Sequence, residues 1–153
     1  MKMIFKRTAP VRLKTQEIKP EVTSDGHLIY RIDGPPIPLA RPRWSNRMQR
    51  MYSDQEEDRD RVVEIVAEQH GTRTIMIKPL HVELHFYMKL PEQRRGNKKW
   101  HVSRPDIDNL VKWVLDICVK VGMIKDDSQV CSLSARKIYD METRTEFILR
   151  ELE

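Results

Sequence analysis

The chain has 153 residues, of which 39% are hydrophobic and 33% are charged. This length is typical of one compact domain, and the charged fraction exceeds the roughly 25% usual for globular proteins. No apolar run approaches the roughly 20 residues of a membrane-spanning helix, and residues 1–10 lack a secretory signal pattern. The two cysteines, Cys118 and Cys131, form no Cys-x-x-Cys pair, which excludes a disulfide framework or thiolate zinc site. We therefore expect a single domain in the reducing cytoplasm, with no membrane partner.

The formal net charge of +5 favours polyanionic partners only weakly as a sum. The distribution of charge is more informative. Residues 41–50 contain four arginines and no acid, and residues 89–104 contain six basic residues and one acid. Such basic stretches are suited to contacts with nucleic-acid phosphates.

The first part of the chain is poor in regular patterns. Residues 1–26 mix basic residues, threonine and proline and end in a turn signal, which predicts a loosely ordered basic arm before a folded domain of residues 27–153. Residues 28–32 alternate as a strand does. Residues 35–52 are rich in proline and arginine without a period, which predicts a long loop.

A helix and a strand follow. Ser53 and Glu56 have the spacing of a capping box, which predicts a helix that runs to about His70 and ends at Gly71. Apolar and polar residues alternate over residues 80–88, which indicates a strand with one buried face. The polar, glycine-containing residues 91–99 predict an exposed loop.

The last third contains a second helix and two strands. Apolar residues recur with helical spacing from Ile107 to Cys118, and Gly122 marks the end. Residues 130–139 and 144–152 alternate, and the short polar segment between them predicts a C-terminal hairpin. The sum is a small α/β (α+β) domain, with a mixed sheet of about four strands packed by two helices.

Two acids stand at the start of the second helix, in the segment from Arg104 to Lys112. If the chain stays extended from Pro105 through Asp108, the carboxylates of Asp106 and Asp108 point the same way. Asp108 occupies the expected position of a helix cap, and Lys112 lies one turn further on the same face. The pattern predicts two carboxylates and one ammonium in close proximity.

Neighbouring carboxylates repel each other unless a cation lies between them. Hard oxygen ligands suit Mg²⁺ or Mn²⁺, and Asp127, with Asp126 beside it, could supply a further ligand. A second interpretation is structural, because residues 108, 112, 116 and 120 alternate in charge at four-residue spacing, as on a solvated helix face. The residues alone leave both interpretations open.

The longer pattern resembles a known family. The chain reads RPDIDNLVKWVLD and then GMIKDDSQV, which is similar to the signature of the RusA family of Holliday junction resolvases, the crossover junction endodeoxyribonucleases. The spacing from Asp106 to Asp127 matches without a gap. Residues 38–43, PLARPR, followed by Tyr52, are also similar to that family. The resemblance spans roughly residues 28–150.

The resemblance implies a fold, an activity and site residues. It implies a RusA-like domain that binds Mg²⁺, with Mn²⁺ as a possible substitute, through Asp106, Asp108 and Asp127, and that requires Lys112 for cutting. The implied protein is a structure-selective endonuclease that resolves four-way DNA junctions by paired symmetric nicks in recombination and repair. It is expected to be a homodimer and is often encoded by phage or prophage.

The basic stretches supply candidate DNA contacts. Six residues are expected to hold backbone phosphates of the junction arms, without reading sequence: Arg41, Arg43, Arg94, Arg95, Lys98 and Lys99. Two other functions share these features. One is a DNA-binding module without catalysis, and the other is a metal-dependent hydrolase of small phosphate compounds, which would not need the basic loops.

Other candidate residues are weaker. Residues 81–85, HVELH, contain two histidines and a glutamate, but their alternation favours a strand face over a zinc site. Trp44 and Tyr52 could either stack on unpaired bases or anchor the loop. His101 could reach the acidic pair, and the sequence assigns no role to Trp100.

Overall fold

The computed structural model describes residues 20–92, 96 and 99–153. Its two α-helices and seven strands follow one another in a mixed order. They are β1 (Glu21–Val22), β2 (Leu28–Asp33), β3 (Arg43–Ser45), β4 (Arg50–Tyr52), α1 (Glu56–His70), β5 (Leu80–Lys89), α2 (Ile107–Val121), β6 (Val130–Asp140) and β7 (Arg144–Glu151), with a 3₁₀ turn (Asp127–Gln129) before β6. Both predicted helices and all four predicted strands are present, and the α+β class is confirmed.

The main sheet has five strands in the order β1-β2-β7-β5-β6. β5 lies inside the sheet, antiparallel to β7 and parallel to β6. Its apolar residues alternate as the sequence predicts, with Leu80, Val82, Leu84 and Phe86 buried on one face. A separate two-stranded antiparallel hairpin is formed by β3 and β4.

The two helices pack on the face of the sheet that carries the buried residues of β5. Val62 and Val66 of α1 join one core with Leu110, Val114 and Ile117 of α2, and all five side chains are fully buried. Burial of each such side chain contributes roughly 1.5–3 kcal/mol to stability. Within the described part of the chain, no helix combines the length and apolar character needed to cross a membrane.

The predicted C-terminal hairpin is wrong. β6 and β7 do follow each other across a short turn, but β5 lies between them in the sheet. β5 has a fully apolar buried face and hydrogen-bonds along both edges, whereas β6 is half-exposed and forms the sheet edge. The turn signal marks a reversal of direction, which does not require that the two strands be neighbours.

Two further local predictions differ from the structure. Residues 43–52 form the β3–β4 hairpin within the predicted long loop. The predicted capping box does not form, because α1 begins at Glu56 after Gln55, and the Ser53 hydroxyl accepts a hydrogen bond from the Gln55 amide at 3.3 Å. The Gln55 side chain instead binds the preceding loop, through the Ala40 amide at 2.9 Å and the Pro38 carbonyl at 2.7 Å.

The predicted basic arm is described only in its last part. Residues 1–19 lie outside the described residues. Glu21–Val22 pairs with β2 as a short edge strand. The domain boundary near residue 27 therefore stays a prediction.

The end of α1 carries a buried histidine that should make stability depend on pH. His70 Nδ1 lies 2.8 Å from the Tyr30 hydroxyl, and burial lowers the pKa of His70 from its usual 6.5, with the Arg73 charge adding to the effect. A lowered folded pKa stabilises the fold above pH 6.5, and this contribution is lost as the pH falls below that value. We expect the melting temperature to decrease as the pH is lowered from 7 to 5.5.

The His70→Gln variant isolates this effect. Its melting temperature should fall less over the same pH range than that of the wild type, because glutamine does not titrate. Other groups titrate in both proteins, so the difference between the two curves is the relevant quantity. Parallel curves would contradict the assignment to His70.

Candidate active site

The acidic pair lies where α2 begins. Asp106 is the N-terminal cap residue in extended conformation, with φ −72° and ψ 143°, and α2 starts at Ile107. The condition that the chain stays extended through Asp108 is therefore not met. The expectation that Asp108 is the helix cap is wrong, since Asp108 belongs to the first helical turn. Its Oδ1 accepts a hydrogen bond from the Asn109 amide at 2.9 Å. An acid in this turn is favourable because helix N-termini carry partial positive charge.

Both carboxylates line one open cavity of about 550 Å³ between the start of α2 and β6. The cavity wall combines acids, cations and aromatic rings. Its remaining polar or aromatic lining residues are Trp100, His101, Arg136 and Lys137. Although the local conformation differs from the prediction, Asp106 and Asp108 share one solvent-exposed site.

Asp127 is presented by a well-ordered turn. The Asp126 carboxylate accepts a hydrogen bond from the Ser128 amide at 2.8 Å, and the Gln129 side chain accepts from the Asp126 amide at 3.1 Å. The other end of Gln129 donates to the Met76 carbonyl at 3.0 Å. The hydrogen bonds from Ser128 lower the pKa of Asp126. Together with the Gln129 bonds they give Asp126 a structural part in the turn that holds Asp127.

Lys112 connects this turn to α2. Its Nζ lies 3.1 Å from Oδ2 of Asp127. Since Lys112 follows Asp108 by one helical turn, the two side chains share a face of α2. Asp127 therefore lies on the same side of the molecule as Asp108, although 19 positions separate them in the sequence.

The ion pair bears on the structural interpretation of the charged helix face. Asp127 raises the pKa of Lys112, with smaller effects from Asp116 and Asp126. Among the described acidic residues, Asp127 is the one that forms an ion pair with Lys112. The negative potential at the ammonium thus comes from two chain segments, α2 and the turn before β6, and among the described residues no ladder of ion pairs forms along α2.

The donor types at this site fit a hard divalent cation. Asp106, Asp108 and Asp127 offer carboxylate oxygens, which Mg²⁺ and Mn²⁺ prefer. In residues 20–92, 96 and 99–153, no three His, Cys, Asp or Glu side chains are already arranged around one point as metal ligands. Asp127 would have to turn from Lys112 to join the other two acids, so the predicted ligand set stays a prediction.

The sequence gives no signal for Lys137, which the structure places in contact with the backbone before the acidic pair. Its Nζ donates to the Ser103 carbonyl at 2.7 Å and to the Pro105 carbonyl at 2.6 Å. Pro105 directly precedes Asp106. Lys137 therefore attaches the segment that carries Asp106 to β6, and this role depends on a contact between residues 32 apart.

His101 also lines the cavity. Its ring contacts Tyr139 edge-on at 5.1 Å between centroids, and its buried Nδ1 has no hydrogen-bond partner in the described part of the chain. Burial lowers the pKa of His101, and the nearby Lys137 charge adds to this. The structure thus places a half-buried imidazole in the wall that Asp106 and Asp108 share.

The predicted DNA contacts are only partly described. Arg41 and Arg43 are exposed, and the nearby Leu39 amide donates to the Asn109 carbonyl of α2 at 2.9 Å. The Arg-Pro-Arg segment therefore starts beside the first turn of α2. Lys99 is exposed, with its Nζ 4.9 Å above the Trp100 ring. Arg94, Arg95 and Lys98 lie outside the described residues.

The histidines of β5 belong to a polar strand face, as the alternation indicates. His81 Nδ1 lies 2.8 Å from the Ser132 hydroxyl, and His85 Nε2 lies 3.2 Å from Glu83. Glu83 also pairs with Arg150 at 2.8 Å, and this bond lowers its pKa. The His81 and Arg150 contacts cross to neighbouring strands and the His85 contact lies within β5, so all three polar side chains have partners on the sheet.

Comparisons with known proteins identify the family of this chain. The model of the family described as Endodeoxyribonuclease RusA matches residues 33–150. The Uncharacterized protein YqaN of Bacillus subtilis (strain 168) is 31% identical over 136 residues, which cover 80% of this chain and 95% of that protein. The Crossover junction endodeoxyribonuclease rusA of Lactococcus phage r1t is 35% identical over 74 residues, which cover 48% of this chain and 56% of the phage protein. The family match includes every element that builds the cavity and the Asp127 turn, and the chain therefore belongs to the RusA endodeoxyribonuclease family.

Proposed function

We propose that this protein is a Mg²⁺-dependent, structure-selective endonuclease that resolves four-way DNA junctions by paired symmetric nicks. The observation that carries the proposal is the position of Asp127 and Lys112 on the face of α2 that also bears Asp108. Asp106 and the cationic side chains Arg136 and Lys137 line one cavity together with Asp108. Family membership and the name of the phage relative support a branched DNA substrate.

Each residue of the site has a distinct part in the proposed reaction. Asp106, Asp108 and Asp127 hold the ion, and Mn²⁺ should substitute because it accepts the same ligands. A bound divalent cation supplies charge stabilisation at a phosphoryl oxygen and a water of lowered pKa. Lys112 stays protonated beside Asp127 and places a compact positive charge where negative charge develops on the phosphate.

The basic residues hold the DNA in this proposal. Arg41, Arg43 and Lys99 contact backbone phosphates, together with Arg94, Arg95 and Lys98. Affinity should therefore fall with rising salt. Two matched nicks in symmetry-related strands need two sites related by a two-fold axis, for which a homodimer is the simplest arrangement.

The direct test is a cleavage assay with a synthetic four-way junction and a linear duplex of matched sequence. We expect paired nicks in the junction with Mg²⁺ or Mn²⁺, and binding without nicks with Ca²⁺ or chelator. Tight junction binding without nicks under every condition would instead support a DNA-binding module. Double charge reversal of Arg41 and Arg43 to Glu should weaken junction cleavage, whereas a hydrolase of small phosphate esters would keep its activity.

Lys137 is expected to act as a positioning residue in this reaction. The Lys137→Met variant loses both hydrogen bonds to the segment before Asp106. Loss of a group that orients a metal ligand typically lowers metal affinity or activity by roughly 10- to 100-fold. We expect a decrease of this size in Mn²⁺ affinity, measured by calorimetry without DNA, and in the cleavage rate.

Two variants test this expectation further. Lys137→Arg keeps donors at the same place and should recover part of the lost affinity. Lys120→Met removes an exposed lysine from the last turn of α2, away from the cavity, and should bind Mn²⁺ as the wild type does. Unchanged Mn²⁺ affinity in Lys137→Met would show that the contact does not position Asp106.

A further inference from the structure

Trp100 is an exposed aromatic side chain in the wall of the candidate active site. It is 53% exposed and lines the same cavity as Asp106 and Asp108. The other two tryptophans differ from it. Trp44 is 58% exposed but lies on the β3–β4 hairpin, and Trp113 is 2% exposed in the core. Trp100 therefore combines exposure with a place beside the acidic pair.

The backbone of Trp100 is held on both sides. Trp100 forms an antiparallel bridge with Ile138 of β6. The Tyr139 amide donates to the Lys99 carbonyl at 2.9 Å, and the His101 amide donates to the Lys137 carbonyl at 3.1 Å. This short segment extends the edge of the sheet, so the indole is attached to backbone that is hydrogen-bonded to β6. A tryptophan has only two side-chain torsions, so little conformational entropy is lost when a ligand packs on it.

The charges around the ring suit a nucleotide. Lys99 Nζ lies 4.9 Å from the ring centroid, and Arg136 and Lys137 line the cavity nearby. A flat apolar surface next to cations matches a planar base attached to a phosphate backbone. The carboxylates of Asp106 and Asp108 in the same cavity repel an anion such as a phosphate. The nearby cations offset this repulsion.

We propose that Trp100 forms a stacking subsite for a single unstacked nucleobase of DNA next to the phosphate that is cut. The inference rests on the proposed endonuclease function and adds a specificity element to it. In a continuous duplex each base is covered by its neighbours, so its faces are not free to stack on an indole. A four-way junction interrupts stacking where strands exchange, and a base freed there can pack on Trp100. The subsite would thus favour branched over linear DNA.

The first test measures DNA binding with Ca²⁺, under which the proposed function predicts no cleavage. Stacking on one aromatic side chain typically changes affinity by roughly 5- to 150-fold. We expect Trp100→Ala to weaken junction binding within this range, with little change for the linear duplex. Trp100→Phe should restore most of the affinity because it keeps an aromatic face. The control, Met141→Ala, removes an exposed apolar side chain from the turn between β6 and β7, which does not line the cavity, and should leave the preference for the junction intact.

The second test removes the base instead of the indole. Junctions with single abasic positions are scanned across the crossover, and each is bound to the wild type and to Trp100→Ala. At one abasic position, junction affinity of the wild type should drop to that of Trp100→Ala, because the base that stacks on the indole is missing. Affinity of Trp100→Ala itself should not change there. Such coupling requires direct stacking and would not arise from a change in folding alone.

The outcomes separate this inference from the proposed function. If the wild type cuts junctions but Trp100→Ala binds and cuts them equally well, the stacking subsite is wrong and the endonuclease proposal stands. An equal loss of affinity for junction and duplex would also overturn the subsite, because it would indicate a general backbone contact or an altered fold. If the wild type neither prefers nor cuts junctions, the proposed function itself fails.

Discussion

Replacement of Asp127 by asparagine should abolish strand cleavage and leave junction binding nearly unchanged. Asparagine has the same shape and can still accept the hydrogen bond from Lys112, so the turn held by Asp126 and Gln129 should keep its structure. The substitution removes the negative charge of a proposed metal ligand, so it should weaken binding of the divalent cation. A bound ion contributes several kcal/mol to the transition state, so the rate should fall by at least about a hundredfold.

The matched control for Asp127→Asn is Asp116→Asn. Asp116 lies one turn beyond Lys112 on α2 and also contributes to the raised pKa of this lysine. If a solvated charged helix face were the whole role of these residues, both variants would have similar, small effects. Cleavage by Asp127→Asn at the wild-type rate would remove Asp127 from the proposed ligand set. A readout of Mn²⁺ affinity without DNA separates loss of the ion from loss of another catalytic function.

Replacement of Lys112 by alanine should lower the cleavage rate by roughly 10²- to 10³-fold, the range observed when one charge-stabilising donor is removed from an active site. Junction affinity should remain close to wild type, because one of several phosphate-facing cations is lost. The Lys112 side chain is more than half exposed, and exposed ion pairs contribute at most about 1 kcal/mol, so the melting temperature should change little.

Metal binding distinguishes the proposed role of Lys112 from that of a ligand-positioning residue. Lys112 occupies an oxygen of Asp127 that the ion would use. Lys112→Ala should therefore bind Mn²⁺ at least as tightly as the wild type while it cuts slowly. Lys120→Ala, at the exposed end of the same helix, should behave as wild type in both measurements. A change confined to DNA binding in Lys112→Ala would argue against a catalytic role.

Asp127 and Lys112 carry opposite charges, so their variants should differ in metal affinity although both lower activity. Asp127→Asn should lose the ion and the activity together, whereas Lys112→Ala should lose the activity and keep the ion. The double variant restores charge balance but not the site, and it should remain inactive. Recovery of activity in the double variant would indicate that the ion pair serves the fold and has no part in the reaction.

Local periodicity in the amino-acid sequence is enough to predict several elements of this protein. The helical spacing from Ile107 and the glycine at position 122 predict α2, and Gly122 indeed adopts the left-handed conformation, with φ 81°, that ends the helix. The alternation of residues 80–88 predicts β5 and its buried face. Each of these features repeats within a few residues, so it can be seen without knowledge of the fold.

The candidate site could be predicted from the sequence in its residue types but not in its geometry. Asp106, Asp108, Lys112 and Asp127 are recognisable by type and spacing. The apolar spacing begins at Ile107, where α2 indeed starts, but the expectation of an extended chain through Asp108, with Asp108 as the helix cap, differs from the structure, in which Asp106 is the cap. The contact between Lys112 and Asp127 depends on the turn that Gln129 attaches to Met76, 53 residues away.

The arrangement of these elements in the fold depends on contacts between residues that are distant in the chain. An alternating segment shows which face of a strand is buried, but not which strands lie beside it, and for this reason the insertion of β5 between β6 and β7 was missed. Lys137 and Trp100 acquire their positions through the same arrangement, since both depend on the segment that lies along the free edge of β6. Strand neighbours are selected by core packing and backbone hydrogen bonds between distant residues, and no local pattern in the chain records that selection.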